Sequence, residues 1–316
     1  MSTLRDYNLP PPQQGVALII VLLILSIATV AVVSMSSSRQ LDIRRTENLL
    51  RSAQALEYSY SLESWAAKVL RDELSDNKHD GFGDNWAKAL PKTAIPGVAA
   101  QLTDLQGRFN LNNLLVENKP SEPDVQRFRR LLALLDIKPV IIDAILDWMD
   151  ADSETRQPGG AEDDTYFDEK TPYRSANRPF ADLSELLLVH GVTQQDYQVL
   201  KPYIYVTDTY AAININTAEP LLIRSLADKL SAKNTELLIR AIRRKPFERI
   251  EDFLQHDAVA ALGIDKQGLG ITSDNFLLSV RVQVGKISLL FDSHLKRMEN
   301  GNITLIKRQR RSPANG

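Results

Sequence analysis

The chain has 316 residues, a formal net charge of −2, four histidines and no cysteine, and a quarter of its residues are charged. Lack of cysteine excludes thiol catalysis, Cys-type zinc sites and disulfides together, and the near-neutral charge gives no sign of a general polyanion binder. His79, His190, His256 and His294 are far apart and none has HExxH-type spacing, which argues against a zinc hydrolase; no Walker loop, GxGxxG or GxSxG occurs either.

The first element is apolar. No charged residue lies between Asp6 and Arg39, and Val16–Val33 is interrupted only by Ser26 and Thr29 as polar breaks. About 20 apolar residues in a helix span a hydrocarbon core, so residues 16–35 read as one membrane segment. The apolar stretch is long, and no Ala-x-Ala site follows it, which favours a retained anchor over a cleaved secretory signal. Arg39, Arg44, Arg45 and Arg51 follow the segment, against Arg5 alone before it. The positive-inside rule alone would place those four in the cytoplasm, an orientation opposed by the glycine-plus-apolar pattern at Gly15 described below.

No proline occurs between Pro12 and Pro91 and no glycine between Gly15 and Gly81. Leu49, Ala53, Leu56, Tyr60, Ala67, Leu70 and Leu74 recur at helical spacing, beside a second stripe of Tyr58, Leu62, Trp65 and Val69. A continuous helix from Val16 to Leu74 is predicted, about 90 Å long at 1.5 Å per residue.

After a loop from Pro91 to Gly97, Val98–Leu105 and Arg108–Leu111 read as short strands around Gly107, with Phe109 and Leu111 alternating with Asn110 and Asn112. From Asn118 to Tyr205 the pattern is helical. Ser121 and Pro139 open helices, Asp182 and Glu185 have capping-box spacing, Gly191 ends that helix, and Thr193 starts the next. Helical signals return from Ala218 to Gln255. Phe276, Leu278, Val280, Val282 and Val284 then alternate strictly, Ile287, Leu289 and Phe291 alternate again, and Asn300-Gly301 marks a hairpin. The predicted class is α+β: a long helix and an antiparallel sheet with an inserted helical domain. The divisions are 36–117 and 275–310 for the sheet-bearing domain, 118–207 for the insertion, 208–274 for a hairpin-like helical return, and 311–316 for the tail.

Two segments carry chemistry. Ten acids lie between Asp143 and Lys170, offset only by Arg156 and Lys170, and Pro158-Gly159-Gly160 makes the middle a loop. Carboxylates so crowded repel one another unless water or a hard cation screens them. Asp150, Asp152 and Glu154 have the one-three-five spacing of a calcium loop, but Thr155 and Ala161 replace the turn glycine and terminal glutamate of an EF-hand. The two readings are a Ca²⁺ site, preferred over Mg²⁺ for its looser oxygen shell, and a solvated acidic loop. The second segment resembles helix-hairpin-helix modules: Leu188–Val192, and Ile213–Ala218 followed by Arg240, Arg243, Arg244, Lys245 and Arg249. From Ala218 to His256 there are eight basic and six acidic residues, a weak field that favours a packing module over phosphate binding. His190 reads as a loop or packing residue rather than a ligand.

Together these motifs resemble a known family. Gly15 followed by Val16-Ala17-Leu18-Ile19-Ile20-Val21-Leu22-Leu23 is similar to the prepilin-peptidase site of type IV pilins. Gly107–Leu114 (GRFNLNNL), Asp147–Asp152 (DWMDAD), Gly159–Asp163 (GGAED), Tyr173–Arg178 (YRSANR) and Ile215–Ala218 (INTA) are similar to the K-type minor pseudopilin of the type II secretion system. The resemblance covers nearly the whole chain. It implies a pilin-like domain with a large helical insertion, anchored in the bacterial inner membrane and facing the periplasm. It implies a leader, residues 1–15, removed by prepilin peptidase between Gly15 and Val16. It implies assembly with I- and J-type minor pseudopilins and other pseudopilins at the pseudopilus tip, a structural role without catalysis or nucleic acid. It implies calcium in the insertion, with Asp150, Asp152, Glu154, Glu162, Asp163 and Asp164 as candidate ligands. Most pilins carry glutamate at the fifth mature position, pairing with a neighbouring subunit's N-terminal amine; Ile20 stands there, and a subunit with nothing above it has no use for that carboxylate. The alternatives are a membrane-anchored DNA-binding or DNA-uptake protein, and a calcium-binding periplasmic protein unrelated to secretion.

Overall fold

The computed structural model describes residues 14–76, 78–90, 95–285 and 287–311. The leader through residue 13 and the tail beyond Arg311 lie outside the described residues. Residues Gln14–Asp76 form one helix, α1. By packing, the chain divides between Glu57 and Tyr58.

In the first unit, α1 exposes its apolar residues from Val16 to Leu50: Ile20 is 50% and Val30 69% accessible. Length and composition suit this stretch to crossing a membrane, and the window that qualifies has no buried residue. Ser26 and Thr29 donate to the carbonyls of Leu23 and Leu25, so neither hydroxyl leaves an unsatisfied group in a lipid setting.

The second unit follows in chain order. It contains β1 (Val98–Asp104), β2 (Phe109–Asn110), a 3₁₀ turn (Leu111–Leu114), β3 (Leu115–Val116) and β4 (Lys119–Pro120). Next come α2 (Glu122–Leu134), α3 (Ile141–Met149), α4 (Asp163–Phe167), a 3₁₀ turn (Leu183–Leu188), α5 (Gln194–Leu200), β5 (Ile204–Tyr205) and β6 (Ile213–Asn214). It continues with α6 (Pro220–Arg224), α7 (Ala232–Arg244), α8 (Ile250–Leu254), β7 (Leu269–Gly270), β8 (Asn275–Val284), β9 (Ile287–Arg297) and β10 (Ile303–Arg311). The expected capping box at Asp182 forms, and Thr193, expected only to start its helix, makes a second one with Asp196; each closes its helix start with two reciprocal hydrogen bonds.

The main sheet has the order β1-β8-β9-β10, antiparallel throughout. Its period-2 pattern sorts one set inward: Leu102, Leu278, Val280, Phe291 and Leu295 are buried. The last turns of α1 lie on that face. Ser293 donates to Glu63 at 2.5 Å, and Arg308 grips Glu63 and stacks on Tyr60. The buried seam of α1 in this unit includes Ser59, Leu62, Ala66 and Leu70: Leu62 and Leu70 come from the two expected stripes, whereas Tyr60 and Ala67 stay outside it. Small residues bring the helix close to a sheet already filled by Leu, Val and Phe, so the larger Tyr60 is left at the rim, 37% accessible.

The Arg108–Leu111 strand is also corrected. Only Phe109–Asn110 is extended, and it pairs in parallel with β5. Asn110 and Asn113 are buried beside Phe109, Leu111 and Leu114 instead of alternating with them into solvent. Their amides are paid for by distant carbonyls: Asn110 donates to Thr209 O, Asn112 to Phe180 O and Thr207 O, and Asn113 to Ala211 O. One hydrophobic core runs from Phe109 to Leu269, so residues 118–207 and 208–274 share it. It is tied to the sheet by Asp104, which accepts from Thr217 and Ser273 hydroxyls and from Asn214. A buried ion pair, Asp80–Arg297 at 3.0 Å, adds a second tie.

Candidate metal centre

The acidic loop is organised from the end of α3. Helical spacing puts Asp147 on the buried side of α3, and Asp150 becomes its C-cap in extended conformation. Trp148, between them, anchors the helix end in an aromatic cluster, edge-on to Tyr166 at 5.3 Å and stacked with Phe180 at 6.5 Å.

Asp147 folds the loop onto itself. Its carboxylate accepts from the backbone N–H groups of Arg156 (3.1 Å) and Ala161 (2.9 Å) and from the Arg156 guanidinium (2.7 Å). The same guanidinium nitrogen donates to Asp150 Oδ2. Gly160 makes the fold-back possible: a Cβ there would lie 2.2 Å from Asp147 Oδ2 and 2.4 Å from the Arg156 carbonyl. Asp143 receives the Gly159 N–H at 3.3 Å. The fold-back brings Glu162 to Asp150.

Asp150, Asp152 and Glu162 each offer a carboxylate oxygen, all within 4.8 Å of one another. Asp150 and Glu162 are buried, and Asp152 closes the site from the solvent side. Asp150 Oδ1 and Glu162 Oε1 are buried without a hydrogen-bond partner. Burial, then the charges of Asp147, Asp150 and Asp152, push the Glu162 carboxyl up to about 7. Burial also raises Asp150, against the pull of Arg156. Burial works against the charge on Arg156, but its bonds to Asp147 and Asp150 hold its pKa above the usual value. Unpartnered buried carboxylate oxygens cost free energy unless a cation takes them. The donor set is all oxygen, as a hard divalent ion requires, with backbone carbonyls or water completing a shell of six to eight.

The other candidates fall elsewhere. Glu154 and Asp164 are exposed outside the trio. Asp163 opens α4 and accepts from the Ser175 backbone and hydroxyl. Two residues of the centre were not singled out from sequence: Asp147, which shapes the loop, and Arg156, which holds two of its acids. Their signal was the single arginine inside an acidic run.

In the hairpin-like segments, Arg240, Arg249 and Lys245 are already matched with Glu236, Asp252 and Glu248, leaving little field for phosphate. His190 is an exposed loop residue whose backbone N–H reaches the Tyr166 hydroxyl. Gly15 and Val16 lie in the first turn of α1.

Comparison with known proteins places these features in context. The family described as type II secretion system (T2SS), protein K matches residues 107–209 and 213–272 in two parts. The chain is 31% identical to type II secretion system protein K of Pseudomonas aeruginosa, over 94% of this chain and 92% of that one. It is 30% identical to the protein of the same name from Aeromonas hydrophila, over 94% and 96%. A chain in the crystal structure of the GspK-GspI-GspJ complex from the enterotoxigenic Escherichia coli type 2 secretion system superposes with a TM-score of 0.73. That match has 27% identity and covers 85% of this chain and all of that one.

Proposed function

The chain belongs to the protein K family of the type II secretion system and is a minor pseudopilin, and from that premise we propose that it joins the I- and J-type minor pseudopilins at the pseudopilus tip, starts the filament there and supports export across the outer membrane. The observation that carries this reading is the likeness, over the full length of the compared chain, to a member of a GspK-GspI-GspJ complex. Ile20 agrees with it: a carboxylate in hydrocarbon is costly without a partner, and this position carries none. Co-purification of the detergent-solubilised chain with I- and J-type pseudopilins tests the assembly. A stable three-component complex is expected, and failure to form one overturns the tip role.

The apolar part of α1 sits in the inner membrane and the second unit in the periplasm. Prepilin peptidase removes the leader between Gly15 and Val16. N-terminal sequencing of protein from cells with active peptidase is expected to begin at Val16; Met1 retained refutes this.

Ca²⁺ is held by Asp150, Asp152 and Glu162. Bound there, the ion supplies positive charge that neutralises the trio and joins the end of α3 to the start of α4. The two unpartnered buried oxygens support this assignment. Calorimetric titration with Ca²⁺ is expected to show binding weakened at least tenfold by Glu162→Gln, and equal affinity in the variant rules the site out.

A further inference from the structure

The GRFNLNNL segment carries one residue without a structural task. A Cβ at Gly107 would lie 2.4 Å from the Thr217 carbonyl, so that glycine permits a close backbone approach. Phe109 stacks on Phe128 at 5.2 Å, and Leu111 and Leu114 are fully buried. The three asparagines bind carbonyls across the domain. Arg108 alone makes no side-chain hydrogen bond or ion pair among the described residues. Burial lowers its pKa, with Glu219, Asp104 and Asp292 near enough to pull it back.

Arg108 lines a cleft of about 1060 Å³ between the outer face of the main sheet and the inserted domain. Leu277, Ser279, Asp292 and His294 form the sheet side; the segments from Arg178 and from Tyr197 form the other. The volume lies at the upper edge of the usual small-ligand range of about 300–1,000 Å³. Most cations of the cleft have their own acids: Arg178 with Glu185, Lys307 with Asp182 and Arg311 with Asp292. Among the described residues Lys201 has only the Tyr197 ring, 5.8 Å away. Tyr205, 4% accessible, packs into the same wall beside Leu277 with its hydroxyl closed off from the cleft. Two cations are therefore left for a ligand.

We infer that this cleft binds an extended acidic segment of a partner polypeptide, with the Arg108 guanidinium receiving a carboxylate and Lys201 a second. A guanidinium grips a carboxylate through two parallel N–H bonds, which an ammonium cannot do. The walls favour a peptide over a polyphosphate. A polyphosphate offers acceptor oxygens only, whereas a peptide backbone also brings N–H donors that Asp182, Asp208 and Asp292 can accept. Gln198 offers a partner to peptide amides, and Ser279 and Gln309, whose donors serve Asp292 and Asp182, keep acceptor oxygens for peptide N–H groups. The cleft shares no lining residue with the acidic trio.

Fluorescein-labelled hexaglutamate and hexaglutamine, titrated by anisotropy into the full chain in detergent at low salt, test the inference. Hexaglutamate is expected to bind and hexaglutamine not. Arg108→Gln is expected to weaken binding at least tenfold, Arg108→Lys to weaken it less, and Arg243→Gln, exposed on α7, to leave it unchanged. Equal binding by the wild type and Arg108→Gln, or none by the wild type, overturns the site. If Arg108→Gln does not melt like the wild type, Lys201→Gln decides, with at least threefold weakening expected and an unchanged affinity overturning the site. Duplex DNA or anionic vesicles that bind through Arg108 more tightly than hexaglutamate would overturn the peptide assignment.

Discussion

Gly160 and His294 show how much a single position carries. At Gly160 any side chain meets Asp147 and the Arg156 backbone at 2.2–2.6 Å, and neither neighbour is free to move because each holds the other. Gly160→Ala is expected to cost about 1–3 kcal/mol, as overpacking does, and to weaken Ca²⁺ binding by displacing Glu162; an unaltered melting temperature and Ca²⁺ titration would refute the role of the fold-back. His294 is different in kind. Burial, with Lys296 and Lys307 nearby and Asp208 opposing, lowers its pKa from 6.5 to about 4. Its Nε2 lies 2.9 Å from Asn275 Oδ1; an oxygen acceptor needs a donor, so the neutral ring carries its proton there. Between pH 6.5 and 4 the unfolded chain takes up a proton that the folded chain refuses, so stability falls as pH drops through that window. Asp104, raised to about 6 chiefly by burial, acts with the opposite sign, because there the folded form holds the proton. His294→Gln keeps a donor and removes the titration. Denaturant unfolding at pH 7, 5.5 and 4.5 is expected to show a shallower loss of stability in the variant; parallel losses would mean that His294 does not titrate in this window.

At the scale of elements, the seam of α1 is the most exacting contact. Ala66 is fully buried, while Ala53, on the same helix, is exposed. Ala66→Leu is expected to destabilise by about 1–3 kcal/mol through overpacking and Ala53→Leu to change stability by less than about 0.5 kcal/mol; thermal melts that rank the two the other way would show that the seam is misplaced. Leu62 and Leu70 of that seam were legible in the sequence, but Ser59 and Ala66 were hidden, because periodicity weighs large apolar residues and here small ones make the approach while Tyr60 stays at the rim. By contrast β8 was legible, since one buried face imposes period 2 on Phe276, Leu278, Val280 and Val282. The Asp182 capping box was legible because it is local. Asn110 and Asn112 were not: their partners lie 68 to 99 residues away, beyond any local pattern. The metal centre divides in the same way. Asp150 and Asp152 announced themselves by spacing, whereas Glu162 joins them only because Asp147, Arg156 and Gly160 turn the loop back.

At the scale of the whole molecule, residues 58–316 combine a sheet domain with a much larger insertion, and the question is whether they unfold together. Besides the Asp80–Arg297 pair, three ties bind them. Asp104 on β1 gathers Thr217, Ser273 and Asn214; Lys296 on β9 donates to Asp208 at 2.8 Å; Lys307 on β10 reaches Asp182. The Asp104 contacts are buried, so breaking them leaves unsatisfied polar groups on both sides and penalises partial unfolding. A single cooperative transition for this unit follows, and a ligand at one loop then stabilises all of it. At 100 times its dissociation constant, Ca²⁺ contributes about 2.7 kcal/mol, which for a unit of this size raises the melting temperature by about 5–10 °C. Calorimetry of the full chain in detergent is expected to show one main endotherm for this unit, shifted upward by Ca²⁺ and returned by chelator. Two transitions of which only one responds to Ca²⁺ would show that the insertion melts by itself and that the three ties are too weak to couple it to the sheet. No response in either would remove the cation from the acidic loop while leaving the assembly role to its own test.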